Sequence, residues 1–145
     1  MRSFLRFQRG LLGMPLHWQL WLLILVGANL VAPFFFLEHV EAQLTIGALL
    51  ISMMLMTALT ARFGFSRILG LGHVAWLPLL GFLVSRATEV PATDAFGLWL
   101  RTVIVLDAIS LVLDTVDVVR FLRGDRAETV PGLEPPIETR DSPVS

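Results

Sequence analysis

Residues 42–61 read AQLTIGALLISMMLMTALTA, a run of 20 residues without a charged side chain. A helix that crosses the hydrocarbon core of a bilayer needs about 20 mostly apolar residues. The composition of the whole chain agrees with such a helix: 55% of the residues are hydrophobic and 16% are charged, whereas a typical soluble domain carries about 25% charged residues. The run therefore predicts a membrane-spanning helix.

Three further apolar runs accompany it, at residues 17–37, 68–85 and 95–122. The run 95–122 contains Arg101 and three aspartates, so a soluble amphipathic helix is the alternative interpretation; its apolar neighbours favour the membrane. The connections between the runs are short, so consecutive helices are expected to be antiparallel neighbours. The sequence thus predicts an all-α integral membrane protein with a four-transmembrane-helix up-down bundle over residues 17–122.

The arginines predict the orientation of the bundle, because cytoplasmic loops are enriched in basic residues. In a four-span topology, nine of them lie on one side: Arg2, Arg6, Arg9, Arg62, Arg67, Arg120, Arg123, Arg126 and Arg140. Only Arg86 and Arg101 lie toward the other side, so both termini are predicted to be cytoplasmic. Many arginines without any lysine suggest GC-rich codons, and we therefore expect a bacterial inner membrane.

Both ends of the chain differ from the bundle. Residues 1–16 have arginines on one helical face and Phe7 and Leu11 on the other, which is typical of a basic amphipathic arm at the headgroup level. The arm could equally serve only to set the topology. A cleaved signal peptide is the alternative, which the long first run disfavours. Residues 123–145 contain four prolines and five acidic residues, so we expect a disordered cytosolic tail.

Aromatic residues and helix breakers add detail. Trp18 and Trp21 are expected at the cytoplasmic interface and Trp99 at the outer one, as interfacial anchors. The third run contains Pro78 and several glycines, which predicts a kinked or closely packed helix.

Missing residue types exclude several kinds of chemistry. The chain has no cysteine and no lysine, so disulfides, thiol nucleophiles, iron–sulfur ligation and Schiff bases are ruled out. A net charge of −1 does not suit a nucleic-acid partner. Met53, Met54 and Met56 are more typical of helix packing than of a copper site. The group Glu38–Glu41 has a single histidine, so we expect no metal or cofactor.

An acidic face runs along the fourth run and consists of Asp107, Ser110, Asp114 and Asp117. These residues fall within an arc of about 80° at about 100° per residue. Asp107 lies about 18 Å into the run at about 1.5 Å per residue, near the middle of the bilayer core. An ionisable group at that depth is costly against lipid, so this face is expected to turn toward the bundle interior, a wet cavity or a partner protein.

Two polar layers are predicted inside the bundle. Asn29 and Ser52 lie at mid-depth, where they could meet Asp107; Pro33 leaves the Asn29 carbonyl without its helical donor. We therefore hypothesise a neutral Asp107 that donates to this carbonyl.

The second layer lies nearer the cytoplasm. His73 and Asp114 are about 8 and 10 Å from that end and are predicted to pair. Asp117 is expected to meet Arg62, Arg67 or Arg120.

An outer charged cluster is predicted at the other end of the bundle, formed by Glu38, Glu41, Arg86 and Arg101. Arg101 is expected to turn outward to a carboxylate. Its expected partners are Glu38, Glu41, Glu89 and Asp94.

Two functional hypotheses follow. The first is a non-enzymatic accessory or assembly subunit, whose partners are the bilayer and a larger membrane complex or a second copy of the chain. The alternative is a small oligomeric channel or proton-coupled transporter with a relay through Asp107, Asp114 and His73. Ser110 beside Asp107 and His73 matches a catalytic triad only in composition, so we expect no enzyme.

Overall fold

The computed structural model describes residues 2–125, and the predicted tail beyond Asp125 lies outside the described residues. The described residues are mostly helical, and none of them forms a β-strand. It consists of α1 (Arg2–Gly13), α2 (Leu16–Val26), a π segment (Gly27–Val31), a first 3-10 segment (Ala32–Phe36), α3 (Val40–Phe63), a second 3-10 segment (Arg67–His73), α4 (Trp76–Ala87) and α5 (Ala95–Leu122). The all-α class predicted from the sequence is confirmed.

Two helical stretches are long and apolar enough to cross a membrane. They are Leu16–Phe36, with 21 residues, and Val40–Phe63, with 24. The second 3-10 segment and α4 count as a third if they form one span, although they are bent by 45° relative to each other. α5 is not among these stretches; it has 28 residues and carries five charged side chains. The chain therefore has two or three candidate spans.

The first span changes its helical geometry because of Pro33. A proline has no N–H to donate to the carbonyl four residues before it. Just ahead of it, the Ala32 N–H bonds to the Gly27 carbonyl, five residues back, which gives the π segment. The Ala28 carbonyl thereby loses its usual donor and accepts a hydrogen bond from the Trp99 indole at 2.9 Å.

This hydrogen bond corrects the expectation for Trp99. Its side chain is buried in the core and its ring stacks on Phe36, with ring centroids 5.4 Å apart. The indole N–H has a partner only at this internal carbonyl, so Trp99 packs inside the helices and is not an interfacial anchor. Leu83, Leu100 and Val103 surround it in the same core cluster.

The third run is broken ahead of Pro78 and not at it. The second 3-10 segment ends at His73, and α4 begins at Trp76. Pro78 thus lies in the first turn of α4, where a missing N–H costs no helical hydrogen bond. The predicted kink exists, but its position is set by the change from a 3-10 helix to an α-helix.

Gly70 brings the second 3-10 segment against α5. A Cβ atom at Gly70 would lie 2.8 Å from the Asp114 carbonyl oxygen and 3.1 Å from its Cα. Both atoms belong to the backbone of α5 and cannot rotate away. A residue without a side chain therefore allows these two elements to touch.

α1 packs on α3 and on the connection between α3 and the second 3-10 segment. Phe7 is buried and its ring centroid lies 6.1 Å from that of Phe65. The Phe65 ring also lies against Gly10, where it leaves no room for a Cβ atom. The predicted arm is therefore a helix whose apolar face contacts the rest of the chain.

Candidate functional site

The centre of the site is a hydrogen bond between Asn29 and Asp107. The Asn29 amide donates to Asp107 Oδ1 at 2.9 Å, and a second contact of 3.2 Å joins the same amide to the Leu25 carbonyl. Both Asn29 and Asp107 have 0% of their surface exposed. The π segment and α5 thus bring together two residues that the depth argument placed in one polar layer.

The bond differs from the hypothesised one. Asp107 contacts the side-chain amide of Asn29, which acts as the donor, and not the backbone carbonyl that Pro33 was expected to leave free. The extra width of the π segment turns the Asn29 side chain inward, so its amide reaches α5. Sequence reasoning identified the pair but assigned the wrong donor.

Several buried polar atoms around the centre have no hydrogen-bond partner within the described residues. They are Asn29 Oδ1, Ser52 Oγ, Trp76 Nε1 and Asp107 Oδ2. Such atoms are rare because an unpaired buried polar group costs about 1–3 kcal/mol. Ser52 is buried on α3 as expected, but its hydroxyl does not bond to the Asn29–Asp107 pair.

The predicted pair of His73 and Asp114 is present. His73 Nδ1 and Asp114 Oδ2 are 2.7 Å apart, and both side chains are partly buried. The His73 ring also packs on Trp76, with ring centroids 4.4 Å apart. The close approach at Gly70 explains the pairing, because it presses the segment that ends in His73 against the Asp114 turn of α5.

A network of ion pairs lies one turn farther along α5. Arg67 donates to Asp117 at 2.9 Å and to Asp125 at 2.8 Å. Arg120 donates to Asp125 at 3.1 Å. The partner predicted for Asp117 is therefore found among the three candidates, and it is Arg67.

A cavity of about 680 Å³ opens beside these pairs. One wall comes from α1 and α2 and is apolar, with Trp18 and Trp21 among its residues. The opposite wall comes from the second 3-10 segment and α5 and carries His73, Ser110 and Asp114. The acidic face of α5 thus turns partly toward an open space, which is one of the settings expected from its sequence.

The outer charged cluster forms only in part. Arg86 donates to Glu41 at 2.6 Å and also to Glu89. Glu41 is buried, with 2% of its surface exposed, and Arg86 holds it at the start of α3. Glu38 contacts His39 at 3.8 Å and lies apart from this pair.

Arg101 does not join the cluster. Its guanidinium donates to the carbonyls of Gly97, Ala87 and Val90 at 3.0, 2.8 and 2.9 Å. The last turns of a helix leave carbonyls without intrahelical donors, and Arg101 satisfies those at the end of α4. The expected carboxylate partner was therefore wrong.

Sequence reasoning missed the positioning roles of Gly70 and Trp99. A signal for Trp99 did exist, because Pro33 implies an irregular helix with free carbonyls that need a donor. No comparable signal marks Gly70 among the glycines of the third run, since only its neighbour on α5 makes it different.

The described groups offer two kinds of chemistry. The first is proton exchange, because Asp107, His73 and Asp114 have side chains that can bind and release protons. The second is binding of a small molecule in the cavity, which His73 and Asp114 line. Comparison with protein-family models, with curated proteins and with solved structures finds no match for this chain.

Proposed function

We propose that this chain is a four-span protein of a bacterial inner membrane, with both termini in the cytoplasm. The surface of α5 supports the fourth span. Apart from Arg120 in its last turn, the large side chains on its exposed side are apolar, among them Leu98, Val105, Ile109, Val112, Val116 and Leu122. Asp107 and Ser110 lie on its buried side. A helix with apolar residues outside and polar residues inside suits an apolar solvent.

Within this topology, we propose that the protein exchanges a proton at Asp107, as a small channel or proton-coupled transporter. The observation that carries the proposal is the state of that carboxyl group. It is fully buried, it accepts one hydrogen bond from a neutral amide, and its Oδ2 has no partner among the described residues. The unpaired Oδ2 can take up a proton without the loss of an existing hydrogen bond.

A route from Asp107 to the cytoplasm is supported by its neighbours. His73 is hydrogen-bonded to Asp114, which lies on the same face of α5 as Asp107, about two helical turns away. Both His73 and Asp114 line the cavity, at the end of the bundle where the arginines cluster. An imidazole and a carboxyl group in hydrogen-bond contact can each hold a proton, so we propose that this pair passes protons between the cavity and the buried acid.

The hypothesis of an accessory or assembly subunit makes a different structural prediction. Polar residues that serve only to fix helix register should be hydrogen-bonded to one another. The unpaired atoms around Asn29 and Asp107 favour proton binding instead. Four helices from one chain leave little room for a solute path, so we propose that transport involves a second copy of the chain.

Proteoliposomes that contain the purified protein and an internal pH-sensitive dye test the function. A potassium gradient with valinomycin drives protons inward, and we expect a flux that Asp107→Asn abolishes. Glu38→Gln is the matched control, because it removes an exposed carboxylate and is expected to retain the flux. Absence of flux from the wild-type protein would overturn the proposal, and co-purification with a larger complex would then support the accessory role.

A further inference from the structure

The charged side chains that line the cavity favour a cationic ligand over an anionic one. Three carboxylates and two guanidinium groups line it: Asp114, Asp117, Asp125, Arg67 and Arg120. Arg67 is engaged by Asp117 and Asp125, and Arg120 shares Asp125. The guanidinium groups therefore have carboxylate partners already, and an anionic ligand would have to compete for them.

Asp114 is in a different position from the other two acids. Its hydrogen-bond partner is His73, which has a full positive charge only when protonated. Asp114 is thus the one carboxylate among the described lining residues that has no arginine partner. A negative charge in a partly buried setting attracts a cation more strongly than it would in water.

The opposite wall suits the body of such a cation. Trp18 and Trp21 line it one helical turn apart, together with Leu22 and Leu25. Indole faces attract cations, and the attraction increases when water is excluded. The volume of about 680 Å³ falls in the range of about 300–1,000 Å³ that is usual for small-molecule sites.

We propose that this cavity binds a lipophilic organic cation, with its positive charge at Asp114 and its apolar body against Trp18 and Trp21. The ligand class follows from a carboxylate without an arginine partner and from the indole and aliphatic side chains that line the same cavity. The site goes beyond the proton exchange proposed for Asp107; it shares Asp114 with the proposed proton route, but binding of the cation requires no proton transfer.

Tetraphenylphosphonium tests the site, because tetraphenylborate has nearly the same shape and the opposite charge. The full chain is reconstituted in nanodiscs of phosphatidylcholine, and binding of each radiolabelled ion is measured at equilibrium. We expect saturable binding of tetraphenylphosphonium and only nonspecific partitioning of tetraphenylborate. Equal binding of the two ions would overturn the proposal, since apolar partitioning alone would then account for it.

Single substitutions test whether tetraphenylphosphonium binds in this cavity. Asp114→Asn is expected to weaken tetraphenylphosphonium binding by at least about tenfold, as loss of a desolvated charge partner does, and Asp114→Glu to retain part of it. Glu38→Gln removes the same charge at the other end of the bundle and should leave binding unchanged. Unchanged binding in a folded Asp114→Asn protein would overturn the proposal.

The aromatic wall gives a second test in case Asp114→Asn does not fold. Trp21→Leu keeps an apolar side chain and removes the indole, so weaker binding of tetraphenylphosphonium is expected, while unchanged affinity would contradict the site. Proton flux is measured separately in proteoliposomes. A protein that carries protons but does not bind the cation would disprove this inference and leave the proposed function intact.

Discussion

At the scale of single residues, the centre of the protein depends on one amide and one carboxyl group. Asn29 is the only hydrogen-bond donor to Asp107 among the described side chains. Each group is fully buried, so neither can turn to water when the other is removed. The effects of the two residues on the free energy of unfolding should therefore depend on each other.

Asn29→Ala is expected to lower the free energy of unfolding by about 1–3 kcal/mol, because it leaves Asp107 buried without a donor. The free energy is measured in detergent micelles by titration with sodium dodecyl sulfate, followed by circular dichroism. Gln43→Ala is the matched control, because Gln43 is an exposed amide that bonds to the Leu37 carbonyl. Its loss should change stability by about 0.5 kcal/mol or less.

A double substitution measures the coupling of the pair. Asn29→Ala combined with Asp107→Ala removes both groups and leaves no orphan, so the double variant should lose less stability than the two single variants added together. Purely additive losses would show that the two groups act independently and would contradict the central pair.

At the scale of elements, irregular helices position the functional side chains. The π segment turns Asn29 toward α5, and the second 3-10 segment carries His73 to Asp114. If both segments were regular α-helices, the Asn29 and His73 side chains would point in other directions. The reason is that π and 3-10 helices rotate by different angles per residue than an α-helix does. Breaks of this kind are frequent at functional sites.

Gly70→Ala tests the contact between the second 3-10 segment and α5. The added methyl group would clash with the Asp114 backbone, so we expect a loss of about 1–3 kcal/mol in the free energy of unfolding. Gly81→Ala is the control, because a Cβ atom there meets nothing within 4 Å. It should be neutral or stabilising by up to about 1 kcal/mol, and equal losses in both variants would contradict the close approach.

The start of α5 is capped by Asp94, whose side chain accepts a hydrogen bond from the Gly97 N–H at 2.6 Å. Asp94→Ala is expected to cost about 0.5–2 kcal/mol, whereas Asp94→Asn keeps an acceptor and should cost clearly less. Unfolding titrations of both variants check the difference. If the two substitutions cost the same, the cap does not stabilise α5.

At the scale of the whole molecule, large apolar side chains cover much of the surface as well as the core. Large apolar residues are exposed along α2, α3 and α5, for example Leu23, Met54 and Val112. Several polar groups are buried, among them Glu41 and Asp107. A soluble monomer rarely exposes apolar surface over such an area, so a bilayer is the solvent that fits this surface.

Cysteine labelling tests the topology, since the natural chain contains no cysteine. Glu38→Cys and Ala92→Cys lie in connections that the four-span proposal places outside, and Arg62→Cys and Arg123→Cys in segments that it places inside. A membrane-impermeant maleimide should label the first pair in right-side-out vesicles and the second pair in inverted ones. Labelling of Ala92→Cys and Arg123→Cys from the same side would show that α5 does not cross.

The amino-acid sequence determined those properties that depend on helical period and on position along a helix. The helical class, the apolar runs and the acidic face of α5 follow from counting residues, because an α-helix fixes both rise and rotation per residue. The pair of His73 with Asp114 was predicted from their similar depth, whereas the close approach at Gly70 brings the two side chains into contact. Counting residues also limited the partners of Asp117 to three arginines, one of which, Arg67, forms the ion pair.

Tertiary structure alone decided which atoms meet where the helices depart from regular geometry. It selected the amide of Asn29 as the donor to Asp107, buried Trp99 against a free carbonyl and gave Arg101 backbone partners. The physical reason is that an unpaired buried group takes whatever partner a distant segment offers. Which partner it finds depends on contacts between residues far apart in the chain. The periodicity of a short stretch of sequence does not predict such contacts.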